Sequence, residues 1–222
     1  MNILGDLINM IMHIDKYLNL ITQQYGLITY AILFSIIFIE TGLVIMPFLP
    51  GDSMLFAAGA ISAIGSLNIF TLLIVIYIAA VLGDTCNYYI GRKIGTNILE
   101  KESTKYINKK YLDKAQDFYK KHGSMTIVLA RFIPIVRTFA PFVAGIGEMK
   151  YSKFIIYNII GGGLWVTLFL SGGYFFGNLP PVKNNFSYVL ISIIIISLIP
   201  GITVVIKEKW KRYINQDNKS NI

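Results

Sequence analysis

Charged side chains are scarce in this sequence, at 14% of 222 residues. A typical soluble domain carries about a quarter. Hydrophobic residues reach 55%, and the mean hydropathy is +0.60. These values exclude a disordered chain, a collagen, a coiled coil and an ordinary soluble enzyme. We expect an all-α integral membrane protein whose single domain covers residues 1–222.

Cysteine and histidine are almost absent. The single cysteine, Cys86, excludes a disulfide-stapled secreted scaffold and a cysteine-based zinc site. The two histidines, His13 and His122, lie in polar segments without neighbouring ligand residues. The sequence therefore predicts no metal site and no cofactor.

Basic residues are abundant, with a net charge of +8, and they are unevenly placed. Fourteen of the 20 lysines and arginines lie within residues 92–123 and 207–222. Nucleic-acid binding would explain such a charge, but the excess of Lys and Arg in cytoplasmic loops of membrane proteins explains the pattern without a partner. We expect two cytoplasmic segments and no nucleic acid.

The first half of the chain contains one broken apolar segment and one unbroken segment. Residues 1–24 are too polar to span a membrane and suit an interfacial helix. Residues 26–46 are apolar, but a proline-rich stretch at 47–52 separates them from a second apolar arm. Two arms joined in this way predict a re-entrant hairpin, whose freed backbone groups protein or water must cover. Residues 69–90 form a clearer span, so the first repeat covers 26–91.

Residues 92–123 alternate lysines with apolar side chains at helical spacing. This pattern predicts a basic amphipathic helix in a cytoplasmic linker. The helix can lie on anionic lipid headgroups or on the protein's own cytoplasmic face, and the sequence leaves both arrangements open.

The apolar pattern then begins again. A second broken hairpin at 124–147 and a span at 154–177 form repeat 2, over residues 124–178. An extra C-terminal transmembrane helix follows at 187–206. A basic tail at 207–222 ends the chain.

The two halves are related by an offset of 86 residues. Phe56 corresponds to Phe142 and Gly59 to Gly145, and the order of hairpin, span and aromatic-glycine exit also repeats. With both basic segments in the cytoplasm, the hairpins enter from opposite sides of the membrane. This arrangement predicts two inverted repeats and a cytoplasmic C-terminus. Whether 26–46 crosses fully, and hence the side of the N-terminus, stays open.

Four charged residues lie within the broken hairpins: Glu40 and Asp52 in the first, Arg131 and Arg137 in the second. A lone charge at bilayer depth costs roughly 2.5–3.5 kcal/mol on insertion scales. Opposed hairpins would bring acids and bases together near the midplane. One interpretation is a structural salt-bridge cluster, although hydrophobic side chains would hold the helices as well.

The alternative interpretation is a transport site. Guanidinium groups match phosphate oxygens in bidentate geometry, so a lipid phosphate could displace the carboxylates from Arg131 and Arg137. A carboxylate released at low dielectric tends to take up a proton. The sequence thus predicts phosphate binding by the arginines and proton handling by Glu40 and Asp52.

Other residues have plainer expected roles. Asp84 lies eight residues before Arg92, so a contact requires both side chains to reach along the helix, and a span-end role is equally open. Tyr88 is expected at the membrane interface. The expected hairpin tips, where helices break and pack closely, contain Pro47, Pro50, Gly51, Pro134, Pro141 and Gly145.

Three ordered motifs resemble the DedA family of bacterial membrane proteins, whose domain also occurs in eukaryotic lipid scramblases. The motifs are Glu40-Thr41-Gly42-Leu43 with Pro47-Phe48-Leu49-Pro50-Gly51-Asp52, then Gly83-Asp84 with Tyr88-Tyr89-Ile90-Gly91-Arg92, then Ala130-Arg131-Phe132-Ile133-Pro134-Ile135-Val136-Arg137 continuing through Pro141 to Ala144-Gly145. Trp165 and the glycine-rich exit after it are also similar to the family.

The resemblance implies re-entrant loops in inverted repeats. It also implies transport of a phosphate-bearing lipid across the bacterial cytoplasmic membrane, with undecaprenyl phosphate favoured. Glu40 and Asp52 match the family's acidic positions, and Arg131 and Arg137 match its essential basic ones.

Three further functions are compatible with a membrane protein of this composition. A phospholipid flippase or scramblase, acting on phosphatidylethanolamine for example, belongs to the same class. A membrane lipid phosphatase is disfavoured, since no histidine near the arginines, metal cluster or nucleophile–base pair is present. A structural protein would leave the intramembrane charges unexplained. We therefore expect a transporter and not an enzyme, with a phosphate lipid, protons and anionic headgroups as partners; an oligomer is compatible with the sequence.

Overall fold

The computed structural model describes residues 22, 24–43, 51–100, 119, 123–186, 188–193 and 195. Within these ranges the fold is entirely helical, as the sequence predicts. The helices are α1 Ile28–Gly42, α2 Gly51–Ala63, α3 Ile69–Glu100, α4 Thr126–Ala130, α5 Pro134–Ile146, α6 Tyr151–Phe176 and α7 Pro180–Asn184. Most of the interfacial helix predicted at 1–24, most of the linker and of the span at 187–206, and the whole tail at 207–222 lie outside the described residues.

Two of these helices are long and apolar enough to cross a membrane. They are Ile69–Gly95 of α3 and Tyr151–Phe176, which is α6. Ile74, Ile78 and Leu82 stay about half exposed along one side of α3 at four-residue spacing. Such a stripe of exposed large side chains suits contact with lipid. Helix α3 continues to Glu100, ten residues beyond the end predicted at 90.

The prolines act differently along the chain. Pro47 and Pro50 lie outside the described residues. Pro134 begins α5, where the missing N–H costs no helical hydrogen bond. The prediction that Pro141 breaks a helix was wrong, because α5 runs through it without interruption. What Pro141 removes is the amide that would bond the carbonyl of Arg137, four residues earlier.

Each broken segment packs against the long helix of the other half. Helix α2 lies along α6, where a Cβ at Gly59 would overlap the Leu170 carbonyl. Helix α5 lies along α3, where a Cβ at Gly145 would overlap the Tyr88 carbonyl. Both contacts need glycine because the two backbones touch. The two glycines are the pair related by the 86-residue offset.

Tyr88 is in the core, and its predicted interfacial placement was wrong. Its ring is fully buried, stacks on Phe154 with centroids 4.6 Å apart, and its hydroxyl donates to the Met149 carbonyl. Burial of a tyrosine is stable when its hydroxyl has an acceptor, as here. Tyr88 thereby joins α3 to the start of α6.

Candidate functional site

Arg137 on α5 is held by two carboxylates from the other half of the chain. Its Nη1 donates to Asp52 Oδ1 and its Nη2 to Glu40 Oε1, both at 2.6 Å. Glu40 lies in the last turn of α1, and Asp52 lies in the first turn of α2. All three side chains are less than a tenth exposed. Distances this short are typical of charge-assisted hydrogen bonds.

Trp165 on α6 completes this group, which we call the Arg137 cluster (Glu40, Asp52, Arg137 and Trp165). Its indole nitrogen donates to Asp52 Oδ1 at 2.8 Å, and its ring centroid lies 4.7 Å from Arg137 Cζ. The cation therefore lies over an aromatic face while the same ring system orients its carboxylate partner. From the sequence, Trp165 was noticed only through the family resemblance.

Gly51 is required by the Arg137 cluster rather than by its own conformation. A Cβ at this position would overlap the Glu40 carboxylate. The start of α2 can therefore approach the end of α1 only because residue 51 has no side chain. This contact gives the predicted hairpin-tip residue a specific steric role.

Arg131 belongs to a second group, which we call the Arg131 cluster (Asp84, Arg131 and Asn158). Its Nη1 donates to Asp84 Oδ2 at 2.6 Å and to Asn158 Oδ1 at 2.7 Å. The Asn158 amide donates in turn to the Val81 carbonyl at 3.0 Å, which fixes which end of the amide faces the arginine. Asp84 thus pairs with Arg131, whereas Arg92 is exposed and interacts with the Tyr88 hydroxyl.

Asn87 links the helices that surround both clusters. Its amide nitrogen donates to the Thr41 carbonyl of α1 at 3.1 Å and to the Thr138 carbonyl of α5 at 2.7 Å. The residue is fully buried, and among the described residues its side chain forms no hydrogen bond with either arginine. Sequence reasoning missed Asn87 and Asn158. The available signal was an uncharged amide inside a span, where a polar side chain needs a partner.

The two clusters together contain three buried acids and two buried bases. Glu40, Asp52 and Asp84 carry one more formal charge than Arg131 and Arg137 balance. An uncompensated buried charge is strongly unfavourable, and uptake of one proton removes the excess. In the described part of the chain, no group of three His, Cys, Asp or Glu side chains is arranged to hold a metal ion.

These observations define an integral membrane protein with ion pairs buried between apolar helices. A family model for the VTT domain matches residues 49–175. Protein DedA of Escherichia coli strain K12 is 49% identical over 211 residues, which is 94% of this chain and 96% of that protein. The chain belongs to the DedA family of VTT-domain membrane proteins, which confirms the resemblance noted in the motifs.

More distant relatives agree with this assignment. An uncharacterized membrane protein of Mycobacterium leprae is 39% identical over 181 residues, covering 82% of this chain and 79% of that protein. Inner membrane protein YghB of Escherichia coli strain K12 is 32% identical over 190 residues, covering 82% and 87%. These relatives place the chain among bacterial inner membrane proteins. No solved structure matches it.

Proposed function

We propose that this protein moves a phosphate-bearing lipid across the bacterial cytoplasmic membrane, with undecaprenyl phosphate as the favoured substrate and protons as the coupled ion. The observation that carries the proposal is the excess of one acid in the two buried clusters. Two arginines provide groups that bind phosphate, and three carboxylates provide groups that can hold the balancing proton. A purely structural cluster needs neither excess charge nor polar groups, since well-packed hydrophobic residues stabilise a core as well.

The proposed exchange takes place at Arg137. An arriving phosphate competes with Glu40 and Asp52 for the two terminal nitrogens of the guanidinium. A displaced carboxylate would stand in a low-dielectric site without its cation, so it takes up a proton. When the phosphate leaves, the carboxylate returns to Arg137 and gives up that proton. Movement of the lipid headgroup is thereby coupled to movement of a proton, and no bond in the lipid is broken.

The finer architecture that we propose is a pair of inverted repeats, each with a re-entrant hairpin and a spanning helix. This architecture is supported by the packing between the two halves: α2 of the first half packs on α6 of the second, and α5 of the second half packs on α3 of the first. The backbone contacts at Gly59 and Gly145, 86 residues apart, are of the same kind. Hairpins that enter from opposite faces would place Glu40 and Asp52 opposite Arg137 near the membrane midplane.

We assign the basic linker and the C-terminus to the cytoplasmic side. At the end of the fold where α5 turns into α6, a cavity of about 700 Å³ is lined by residues that include Tyr119, Lys150 and Lys153. The Tyr119 hydroxyl donates to the Ala140 carbonyl at 2.7 Å, and burial raises its pKa above the ordinary value, so it stays a donor. Basic side chains at such a mouth favour anionic headgroups.

The test is lipid translocation in liposomes. Purified protein is reconstituted with labelled undecaprenyl phosphate or labelled phosphatidylethanolamine, and initial rates are followed with and without an imposed pH gradient. We expect wild type to move the polyprenyl phosphate, faster with the gradient. Arg137→Lys should lose most of this activity, because an ammonium group lacks the planar fork that binds phosphate bidentately.

Each other outcome assigns a different function. Equal rates for the two lipids would indicate a scramblase. Release of inorganic phosphate from the labelled lipid would indicate a phosphatase. No movement of either lipid would contradict transport and leave a structural cluster.

A further inference from the structure

Among the described residues, Arg131 meets acceptors on only one of its three side-chain nitrogens. All of its acceptors, Asp84 Oδ2 together with the side-chain and main-chain oxygens of Asn158, meet Nη1. Within the part of the chain that the structure describes, no acceptor meets Nε or Nη2. The side chain is only 2% exposed. An unpaired edge of a buried guanidinium is rare, because each buried donor without an acceptor is costly.

The two unpaired nitrogens form one side of the guanidinium plane. Nε–H and the adjacent Nη2–H point in parallel, at the spacing of two oxygens of a phosphate or carboxylate group. Arg137 offers no such edge, since Asp52 and Glu40 occupy its two terminal nitrogens. The two arginines therefore differ in whether two adjacent nitrogens on one edge are left without an acceptor among the described residues.

We infer that the Nε–Nη2 edge of Arg131 is a receptor for one oxyanion, a phosphate group, and that Asp84 and Asn158 are positioning residues that hold the opposite edge. Assigning the phosphate to a lipid rests on the proposed function. The receptor is distinct from the carboxylate exchange at Arg137, and it gives Asp84 and Asn158 roles that the motifs alone do not assign.

The surroundings of Arg131 fit this role. The residue lies in the short connection between α4 and α5 rather than inside a long helix. A Cβ at Gly162 would stand 3.5 Å from Arg131 Cζ, and one at Gly161 would stand 3.5 Å from Arg131 Cδ. The glycines thus keep the face of the guanidinium uncrowded. Asp84 Oδ1 also lacks a partner among the described residues.

Tryptophan fluorescence provides a test that does not depend on transport. The sequence has two tryptophans, Trp165 and Trp210. In a Trp210→Phe background the only reporter is Trp165, whose ring centroid lies 5.7 Å from Arg131 Cζ. The protein in detergent is titrated with dodecyl phosphate, with inorganic phosphate, and with dodecyl maltoside as the neutral control. We expect a saturable change with dodecyl phosphate that Arg131→Lys weakens about tenfold, the cost of one charged hydrogen bond.

A pair of charge variants with opposite signs separates a positioning role from a merely structural one. Asp84→Asn keeps an oxygen for Nη1 but removes a negative charge beside the oxyanion, so dodecyl phosphate should bind about tenfold more tightly. Asn158→Asp keeps the acceptor but adds a negative charge, so binding should weaken by a similar factor. Asn87→Ala is the control, because it removes a buried amide whose hydrogen bonds go to the Thr41 and Thr138 carbonyls and not to an arginine. Its binding midpoint should stay unchanged even where its thermal stability falls.

The outcomes divide clearly. Saturation by inorganic phosphate at the same midpoint would support the receptor and assign it to free phosphate, whereas saturation by dodecyl phosphate alone would assign it to a lipid headgroup. No fluorescence response to either probe would overturn the inference. So would binding midpoints that are unchanged by Arg131→Lys, Asp84→Asn and Asn158→Asp. If the protein transports the phosphate lipid in liposomes but the dodecyl phosphate binding midpoint is the same in all these variants, the receptor is refuted and the proposed function stands. The converse result would refute the function alone.

Discussion

The two arginine clusters differ although their arginines are only six residues apart. Arg137 has each terminal nitrogen bonded to a carboxylate and its plane near Trp165. Arg131 has one nitrogen bonded to one carboxylate and one amide. The Arg137 cluster carries a formal charge of −1, and the Arg131 cluster is neutral.

This difference suggests a division of work. A cation shared by two acids can release one of them, provided that a proton or a phosphate replaces the lost interaction. A cation held along one edge can bind an anion on its other edge while its carboxylate partner stays in place. The first arrangement suits coupling to protons, and the second suits recognition of the headgroup.

The largest expected effect is that of Arg137→Gln. It leaves Glu40 and Asp52 buried without their cation, and breaking a buried ion pair in this way costs about 3–5 kcal/mol. We expect a strongly lowered thermal unfolding midpoint in detergent and no lipid translocation. The triple variant Arg137→Gln, Glu40→Gln, Asp52→Asn should regain stability but not transport. A single variant as stable as wild type would contradict the geometry of the Arg137 cluster.

Glu40→Gln should separate transport from proton coupling. The variant removes the excess acid, so the cluster stays neutral without a bound proton. We expect the stimulation of translocation by an imposed pH gradient to disappear, and rates in liposomes report it. Asp84→Asn is the matched control, because it changes the neutral cluster and should keep the stimulation. Loss of stimulation in both variants would show that the clusters titrate as one unit.

Alanine substitution of two glycines tests how tightly each cluster is packed. Gly51→Ala places a methyl group on the Glu40 carboxylate and should destabilise the protein by about 2 kcal/mol, as overpacking does. Gly162→Ala places its Cβ 3.5 Å from Arg131 Cζ, an ordinary contact, and should change stability by less than about 0.5 kcal/mol. Thermal unfolding of both variants in one detergent measures the difference. Equal midpoints would contradict the close approach of Gly51 to Glu40.

Trp165→Phe has the smallest expected effect on the Arg137 cluster. The variant keeps an aromatic face near Arg137 but removes the indole donor to Asp52, a loss of about 1 kcal/mol. Trp165→Leu removes both and should cost more. We expect the thermal unfolding midpoint to fall from wild type to Trp165→Phe and further to Trp165→Leu. A phenylalanine variant as damaging as leucine would assign the whole effect to the hydrogen bond.

Sequence reasoning located the charged residues but not their partners. Glu40, Asp52, Arg131 and Arg137 stand out because charges are rare and costly in apolar segments. Their pairing depends on which faces meet when α3, α5 and α6 pack, and no spacing along the chain encodes that. Because α5 begins at Pro134, Arg131 lies before this helix and Arg137 lies within it. The two side chains therefore reach different acids.

The buried amides in and beside the clusters were the hardest to anticipate. Asn87 and Asn158 do not disturb the apolar pattern enough to mark them, and their value lies in the oxygens and amides they meet. Pro141 shows the opposite case, a conspicuous residue with little effect on the helix. A proline suggests a helix end, but burial of α5 among its neighbours outweighs the loss of one hydrogen bond. Patterns along the sequence therefore predict where the helical segments lie, whereas the contacts between side chains depend on tertiary packing.

The most direct test of the division between the clusters is one translocation assay on two conservative variants. Arg131→Lys and Arg137→Lys are reconstituted in liposomes with increasing mole fractions of undecaprenyl phosphate, with and without a pH gradient. We predict that Arg131→Lys raises the mole fraction needed for half-maximal rate and keeps the stimulation by the gradient. Arg137→Lys should lose most of the rate, and the activity that remains should not respond to the gradient. Identical changes in both variants would contradict separate roles for the two arginines.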